Sequence, residues 1–449
     1  MALLVVDMQY FDAHPEWGEG RTAIEIGVAD VFAPYFAQID DIIPPIQGLL
    51  SLFRHKEMEV VHVRVAERTR DSRDVGRKQL VRGLVVPSDS KEAEPLVEVA
   101  PMGDELVISK SSSGVFATTN IDRLLRNLGI NTLLFTGTAT GGCIESAVRD
   151  AIDLGYQVIL VSDACADSTA DSHEAALQRM EGGLVQVMTT DQVKKMLTPM
   201  ANGNGQSRSG LERVKPYLPK PPKTPPGPEV NPYSLIFPPA VELSISKENF
   251  AFVVMDAQCF ACDPDCAIGQ IPGQASTEAQ RLAYYERVQS AISNIAMLLE
   301  RCRCLDLPVI HVRTAAQMSN GRDLSHHLRL LEITPFKDSM AAAFMTEVEP
   351  TSEELVLDKP GLGIFTGTGL DERLRNLDVE QLILTGISFA GGLEGSIRSA
   401  SDRGYSVVLV PDACATFDES AQKKLSGMES GIINVRSAER LSAQLQELG

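Results

Sequence analysis

Short apolar segments alternate with segments of helical periodicity along the first 200 residues. The apolar segments are rich in strand-forming residues and bounded by turn residues, which predicts buried strands. The predicted strands are Leu3–Val6, Glu59–Val65, Leu106–Ser109, Thr132–Thr136, Gln157–Val161 and Val185–Met188, and the predicted helices are Ile39–Arg54, Asn120–Asn127, Ile144–Leu154, Ser172–Met180 and Asp191–Met196. Such alternation indicates a parallel sheet with helices on both faces.

The second half of the chain repeats the first with a shift of 249 residues. The register holds across anchors from both ends and the middle of the repeat. The matched residues and segments are Asp7 with Asp256, Gln9 with Gln258, Val61–Arg64 with Ile310–Arg313, Lys110 with Lys359, Leu125–Leu128 with Leu374–Leu377, and Asp163–Cys165 with Asp412–Cys414. A register held over this length indicates a duplication of whole domains.

Between the two copies the composition changes. Ten prolines fall between Pro216 and Pro239, after a polar stretch rich in glycine and asparagine. Such a segment forms a semi-extended linker, not a core. Its apolar residues could also strap one domain to the other; these are Tyr217, Tyr233, Leu235, Ile236 and Phe237. We therefore predict a domain at 1–200, a linker at 201–247 and a domain at 248–449. Each domain is expected to be a three-layer α/β/α Rossmann-like unit with a mostly parallel sheet of about six strands.

Composition narrows the possible functions. Hydrophobic residues make up 44% and charged residues 22% of the chain, as in a soluble globular protein. The formal net charge of −19 argues against nucleic acid and anionic membrane surfaces as partners. The first residues lack the basic leader of a signal peptide. Because the eight cysteines do not resemble a secreted disulfide framework, a reducing, cytoplasmic compartment is expected.

Three side chains that can carry chemistry follow predicted strands of the first copy. Asp7 ends the first strand, Lys110 follows the short strand, and Cys143 follows the central strand and precedes a helix. Functional sites of parallel sheets form at the carboxyl ends of strands, so the three can converge. Asp7 would take the thiol proton, and Lys110 and the helix N-terminus would lower the thiol pKa. Taken singly, each residue could instead be structural.

These residues resemble the motifs of the isochorismatase-like cysteine hydrolases. Ala2–Gln9 resembles the family's opening strand, Lys110–Phe116 its lysine motif, and Thr136–Ile144 its nucleophile motif. The resemblance covers nearly all of residues 1–198. It implies Cys143 as nucleophile, Asp7 as general base and Lys110 as supporting cation.

The same resemblance implies further features of the site. A non-proline cis peptide is expected at Thr138–Ala139, with an oxyanion hole made by the N–H groups of Ala139 and Cys143. Some members carry a metal site with histidine after the second strand, but Arg64–Arg73 contains no histidine, so no metal or other cofactor is predicted. Residues placed around the pocket are Phe11, Trp17, Arg64, Ser112 and Ser113.

The Thr-Gly-Gly-Cys form of the nucleophile motif resembles that of N-carbamoylsarcosine and maleamate amidohydrolases, and biuret and ureidoacrylate hydrolases belong to the same wider group. The implied reaction is hydrolysis of a small amide or ureido compound through an acyl-enzyme, with release of ammonia or an amine. The predicted partner is thus a small molecule.

The second copy departs at the decisive position, because Gly392 stands where the first copy has Cys143, although Asp256 and Lys359 remain. One interpretation is a catalytically inactive copy that packs with the first as an intramolecular pseudo-dimer, with further oligomerisation left open. Another is enol-ether hydrolysis of the isochorismatase type in this half. A third, for the whole chain, is a non-catalytic binding or scaffold protein.

Cysteines near the start of the second copy leave a further alternative open. Cys259 and Cys262 have the spacing of zinc ligands, Cys266 follows, and His311 could complete the set. The other interpretation is free or oxidisable thiols. His62 and His311 repeat at one strand position and are interpreted as packed core histidines.

Overall fold

The chain was analysed as a computed structural model. The structure describes residues 1–69, 71–181, 185–198, 232–236, 243–245, 248–266, 278–330, 333–388, 391–417, 419–429 and 432–448. By their contacts these residues fall into two compact units. The first comprises the described residues within Met1–Val75, Gly83–Ile152 and Tyr156–Pro238, and the second those within Gly76–Arg82, Asp153–Gly155 and Pro239–Gly449. The linker predicted at 201–247, including Tyr217 and Phe237, lies mostly outside the described residues.

Strands and helices alternate through the first copy. They are β1 (Ala2–Val6), α1 (Tyr10–Ala13), α2 (Gly18–Glu25), α3 (Ala29–His55), β2 (Glu59–Val65), α4 (Arg77–Arg82), β3 (Leu106–Lys110), α5 (Ile121–Asn127), β4 (Thr132–Thr138), α6 (Glu145–Asp153), β5 (Gln157–Ala166), α7 (Ala170–Met180), β6 (Val185–Met188) and α8 (Thr190–Leu197), followed by the short helix α9 (Tyr233–Ile236).

The described elements of the second copy follow the same order, and the counterpart of α2 falls outside the described residues. They are β7 (Phe250–Met255), α10 (Cys259–Cys262), α11 (Glu278–Cys304), β8 (Val309–Thr314), α12 (His326–Leu330), β9 (Leu355–Lys359), α13 (Leu370–Asn376), β10 (Gln381–Ser388), α14 (Gly392–Asp402), β11 (Ser406–Thr416), α15 (Glu419–Ser426), β12 (Ile433–Val435) and α16 (Ala438–Gln446).

Each copy contains a six-stranded sheet in which every pair of strands is parallel. The order is β3-β2-β1-β4-β5-β6 in the first and β12-β11-β10-β7-β8-β9 in the second, which is the same order read from the opposite edge. The predicted α/β fold with about six strands in each domain is therefore confirmed. In the first sheet Val6 lies beside Val63 of β2 and Gly137 of β4, and Val65 lies beside Lys110. This register brings the ends of β1, β3 and β4 to one edge.

Alternating side chains bury both faces of each sheet. In β7, Phe250, Phe252 and Val254 belong to one hydrophobic cluster, whereas Ala251, Val253 and Met255 belong to another. In the first copy, helix α3 buries a stripe against Leu3 and Val5 of β1. That helix begins ten residues before the predicted Ile39 and contains Pro34, Pro44 and Pro45. Its long apolar stripe outweighs the backbone hydrogen bonds that the prolines remove.

Helix α9 is the described part of the predicted linker that packs onto the first unit. The ring of Tyr233 lies 5.8 Å from Phe32 and 5.9 Å from Tyr35, both on α3. Within the described residues, no helix combines the length and the apolar content that crossing a bilayer requires.

Candidate active site

Asp7 and Lys110 form a buried ion pair at the carboxyl edge of the first sheet. Lys110 Nζ lies 3.0 Å from Oδ2 of Asp7, and the two side chains are 0% and 1% exposed. Asp7 has a positive φ of 55°, which turns the chain away from β1 directly after its last residue. The ammonium also lies 3.4 Å from Sγ of Cys143 and donates to the Ser112 carbonyl at 3.1 Å. The three predicted catalytic side chains thus lie together.

Cys143 lies in the turn that connects β4 to α6. The peptide bond between Thr138 and Ala139, at the end of β4, is cis. The backbone then turns back, and the N–H groups of Gly142 and Ile144 both donate to the Ala139 carbonyl. Among the described residues, cis geometry occurs at this bond and not at its counterpart Ile387–Ser388.

Side chains and backbone groups that follow β5 hold this turn in place. The carboxylate of Asp167 accepts a hydrogen bond from the Gly141 N–H, and the Thr140 hydroxyl donates to the Ala166 carbonyl at 3.0 Å. The same hydroxyl lies 2.8 Å from Nδ1 of His173. On the other side, the Thr138 hydroxyl lies 3.0 Å from the buried Tyr35 hydroxyl. The turn around Cys143 is therefore anchored through Thr138, Thr140 and the Gly141 N–H.

The charges of the site keep the resting thiol protonated. Burial and the Asp7 carboxylate raise the pKa of Cys143 to about 12, although the Lys110 ammonium acts in the opposite direction. Burial also raises the pKa of Asp7, against the effects of Lys110 and of the hydrogen bond with Cys143. Burial alone would lower the pKa of Lys110, but Asp7 and Cys143 raise it above the usual value. The negative charge thus resides on Asp7 and the positive charge on Lys110.

This arrangement differs from the thiolate that the sequence predicted. Lys110 and the start of α6 were expected to lower the thiol pKa, but burial and the charge of the Asp7 carboxylate, which opposes a second negative charge, outweigh Lys110. The geometry instead suits removal of the thiol proton by Asp7 during attack.

The residues predicted around the pocket divide into two groups. Ser112 is fully buried and supplies the carbonyl that binds Lys110, and Phe11 packs in a small cluster with Val65 and Val86. Ser113 follows Ser112 and is partly exposed.

Arg64 and Trp17 are engaged elsewhere. Arg64 donates from Nε to the Ser109 hydroxyl and from Nη1 to the Ala93 carbonyl at 2.7 Å. Trp17 lies under the guanidinium of Arg21, 4.6 Å from the ring centroid, and edge-on to Tyr10. These contacts hold both side chains against neighbouring protein groups. None of these contacts is with Asp7, Lys110 or Cys143.

Sequence reasoning missed three residues close to this site. Asp12, Tyr35 and Asp167 are, respectively, on the four-residue helix α1, in the second turn of α3, and just beyond β5. Burial and the charges of Asp7 and Glu19 raise the pKa of Asp12 well above its usual value, and Lys110 acts against them. Asp12 follows Asp7 by five residues, but a helix of one turn has no periodicity that reveals its orientation.

The second copy keeps the ion pair, but a threonine hydroxyl from a strand contacts it instead of a cysteine thiol. Lys359 Nζ lies 2.9 Å from Oδ2 of Asp256. The hydroxyl of Thr314 donates to Oδ1 of Asp256 at 3.0 Å and accepts from Lys359 at 2.8 Å, and the Thr314 N–H also donates to Oδ1. Val65 occupies the position of Thr314 in the first copy. Asp256 is therefore held by one residue through two hydrogen bonds as well as by the lysine.

The space that a nucleophile would occupy in the second copy is filled. A Cβ atom on Gly392 would lie 2.6 Å from the Leu362 carbonyl oxygen and 2.9 Å from Cε of Met255. The adjacent cavity has a volume of about 20 Å³, which is room for a single water. Its walls are mostly apolar and include Phe260, Ala261, Leu328, Ile333, Leu362 and Ile387.

The cysteines near the start of the second copy are the candidate zinc ligands. Across the described residues, no group of three or more His, Cys, Asp or Glu side chains is arranged to hold a metal ion. His311, the fourth ligand considered from the sequence, lies 3.0 Å from Glu354, which also pairs with Arg303. His62 lies 3.1 Å from Glu105, which pairs with Arg54 in the same way. Both histidines thus belong to repeated buried networks.

Both halves of the chain match the same protein family. The profile of the isochorismatase domain matches residues 1–192 and again residues 251–439. The chain belongs to the isochorismatase family. Both copies are therefore isochorismatase domains, and the duplication read from the sequence is confirmed.

Three of the similar proteins are amidohydrolases. The maleamate amidohydrolase of Pseudomonas putida is 32% identical over 158 residues, which are 34% of this chain and 73% of that enzyme. The N-carbamoylsarcosine amidase of an Arthrobacter species is 28% identical over 35% of this chain and 62% of its own length. A ureidoacrylate amidohydrolase of Pantoea ananatis is 27% identical over 40% of this chain and 75% of its own length.

Solved isochorismatase-family structures match about half of the chain. An isochorismatase-like hydrolase from Alkaliphilus metalliredigens shares 28% identity with a TM-score of 0.36, covering 44% of this chain and 97% of its own. A cysteine hydrolase from Pseudomonas syringae shares 26% identity with a TM-score of 0.37, covering 43% of this chain and 90% of its own.

Proposed function

We propose that the first copy is a cysteine amidohydrolase that cleaves a C–N bond of a small amide or ureido compound. The observation that carries the proposal is the meeting of Lys110 Nζ with Asp7 Oδ2 at 3.0 Å and with Cys143 Sγ at 3.4 Å in a buried site. Three amidohydrolases among the relatives support the same reaction class.

In the first half of the reaction, Sγ of Cys143 attacks the carbonyl carbon while Asp7 takes the thiol proton. The oxyanion is held by the N–H groups of Ala139 and Cys143. Asp7 then gives its proton to the leaving nitrogen, the C–N bond breaks, and ammonia or an amine departs. Lys110 keeps Asp7 in position and balances the charge that passes between the carboxylate and the sulfur.

In the second half, water cleaves the thioester. Asp7 takes a proton from the water, the hydroxide oxygen bonds to the acyl carbon, and the C–S bond breaks. The thiolate recovers a proton from Asp7, and the acid product leaves. Each half uses one proton transfer to Asp7 and one from it, so no further acid or base is needed.

The second copy has a structural role in this proposal. Asp256 is saturated by Thr314 and Lys359, and the position of the nucleophile is closed by Leu362 and Met255. These contacts also disfavour enol-ether hydrolysis there, because that chemistry needs a carboxyl group free to give a proton to substrate. Packing of the two copies as a pseudo-dimer stays a prediction, which small-angle scattering would test.

The test is ammonia release by the full chain from small amides and ureido compounds, including biuret, maleamate, N-carbamoyl amino acids, nicotinamide and ureidoacrylate-like compounds. Wild type should hydrolyse at least one compound, Cys143→Ala should lose that activity, and Cys304→Ser, which changes an exposed thiol, should retain it. Activity that survives in Cys143→Ala would overturn the proposal. Release from none of these compounds would favour a binding or scaffold protein instead.

A further inference from the structure

The walls around the two ion pairs differ in polarity. The shift of 249 residues aligns three apolar residues of the cavity wall in the second copy with polar residues in the first. The aligned pairs are Ala261 with Asp12, Leu362 with Ser113, and Ile387 with Thr138. At these three positions the first copy therefore has polar side chains where the second has apolar ones, whereas Thr314 and Ser388 of the second wall align with Val65 and Ala139.

The backbone carries Asp12 and Ala261 in the same way. The Tyr35 hydroxyl donates to the Asp12 carbonyl at 2.9 Å, and the Tyr284 hydroxyl donates to the Ala261 carbonyl at 3.0 Å. The two tyrosines are themselves related by the 249-residue shift. Because Ala261 lines the cavity beside Asp256, this common anchor places Asp12 at the equivalent position beside Asp7, whose charge raises the Asp12 pKa.

One oxygen of Asp12 is set for a ligand. Oδ2 is buried and has no hydrogen-bond partner among the described residues. A buried acceptor without a donor destabilises the folded chain. The residue as a whole is partly exposed. Asp12 thus keeps an acceptor that a ligand N–H group would satisfy.

The cations near this wall are committed to protein groups. An ammonium group has three N–H donors, and Lys110 directs its contacts to Asp7, Cys143 and the Ser112 carbonyl. Arg64 uses Nε and Nη1 on Ser109 and Ala93. Lys110 thus directs its three N–H groups to protein atoms, and Arg64 directs two of its donors to protein atoms, whereas an ionised Asp12 would repel a substrate carboxylate.

We propose that Asp12 determines substrate specificity by accepting hydrogen bonds from N–H groups of the substrate beyond the scissile amide. The preferred substrates are neutral or cationic amides and ureido compounds, and amides that carry a carboxylate at the far end are disfavoured. This inference rests on the proposed amidohydrolase function and narrows its substrate class.

A matched pair of substrates tests the inference on the full chain. Maleamide and maleamate differ only in whether the far end is an amide or a carboxylate. A hydrogen bond to a charged group contributes about 1.5–3 kcal/mol, which is roughly tenfold to a hundredfold in kcat/KM. At pH values where Asp12 is ionised, wild type should prefer maleamide by that factor. Asp12→Ala, which installs the residue of the second copy, should remove the preference mainly through KM.

Two controls separate specificity from a structural defect. Ala261→Asp should leave the maleamide-to-maleamate ratio unchanged. Asp12→Asn should be more stable than wild type at pH 8 and close to it at pH 5. The folded-state pKa of Asp12 lies above the unfolded value, so its contribution to stability is present at low pH and lost as pH rises through the folded pKa.

The outcomes distinguish this inference from the function on which it rests. Cys143-dependent hydrolysis with a ratio that Asp12→Ala does not change, or a wild-type preference for maleamate, overturns the inference and leaves the amidohydrolase standing. Absence of Cys143-dependent hydrolysis for the whole substrate panel overturns both.

Discussion

The same buried aspartate–lysine pair occurs in both copies, and the group that completes it differs. In the first copy, the Lys110–Asp7 pair lies beside the thiol of Cys143, the proposed nucleophile. In the second, Lys359 and Asp256 are joined by the Thr314 hydroxyl, which belongs to a strand and stays in place. A pair that supports chemistry in one site can thus serve as a closed structural unit in the other.

The difference extends beyond the missing sulfur. Asp12, Ser113 and Thr138 line up with Ala261, Leu362 and Ile387, and Gly392 lies against the Leu362 backbone. Polarity, access and the nucleophile therefore change together. A single substitution is not expected to convert one site into the other.

The largest expected effect comes from removing each carboxylate in turn. Asp7→Asn should lower kcat by about 10²- to 10⁴-fold because it removes the general base, whereas Asp256→Asn should leave kcat of the folded protein unchanged. Both variants leave a buried lysine without its carboxylate partner, and each should lower the free energy of unfolding by roughly 3–5 kcal/mol. Paired measurements of ammonia release and chemical denaturation separate the two losses. A fall in kcat for folded Asp256→Asn would contradict the expectation that only the carboxylate of the first copy takes part in catalysis.

Adding a thiol to the second copy should cost stability without creating activity. Gly392→Cys places a Cβ atom against the Leu362 carbonyl, so a loss of about 1–3 kcal/mol is expected. In a Cys143→Ala background, no ammonia release should return. Gly427→Cys is the matched control, because its Cβ would meet its nearest neighbour at an ordinary 3.5 Å. Recovery of hydrolysis by Gly392→Cys would mean that the second site is open.

Exchanging the residues at positions 65 and 314 tests whether the threonine hydroxyl holds the aspartate–lysine pair in place. Val65→Thr should place a hydroxyl between Asp7 and Lys110, and one added hydrogen bond of about 1 kcal/mol should lower kcat by roughly fivefold to tenfold. Thr314→Val should destabilise the chain by about 1–3 kcal/mol, because Asp256 and Lys359 lose a shared partner. Initial rates and thermal unfolding provide the two measurements. An unchanged kcat in a folded Val65→Thr protein would show that a hydroxyl at this position does not hold the aspartate–lysine pair in place.

The smallest effect concerns a feature that the copies share. Burial lowers the folded-state pKa of His62 and His311 below the usual 6.5, against the effect of a neighbouring glutamate. The unfolded chain therefore takes up protons first, so stability is present above pH about 6.5 and lost as pH falls through the folded pKa values. His62→Gln and His311→Gln should each make the decline between pH 7 and pH 5 shallower.

Thermal unfolding across that pH range is the measurement, with the exposed His55→Gln as control. Because the Arg54–Glu105–His62 and Arg303–Glu354–His311 networks match, similar changes are expected in both copies. A change in only one of them would show that the networks are not equivalent.

Periodicity was enough to predict the two sheets, since buried parallel strands appear as separate apolar runs. It also predicted that Asp7, Lys110 and Cys143 share one edge, because each follows a strand. The cis bond at Thr138–Ala139 and the oxyanion hole came from the resemblance alone. Periodicity failed for α1 and α2, since helices of four and eight residues beside a turn carry too few apolar positions to define a face.

By itself, the sequence determined the duplication, the order of the strands, and the presence of Gly392 at the position of Cys143, because these are read from residue identity and spacing. Tertiary structure decided that the Thr314 hydroxyl reaches Asp256 and Lys359, that the Leu362 carbonyl closes the space at Gly392, and that Asp12 lies close enough to Asp7 for that charge to raise the Asp12 pKa. Each of these depends on the path of a loop or a side chain across several ångströms between segments far apart in the chain. Spacing along the chain does not encode such distances, whereas packing of the folded strands and helices does.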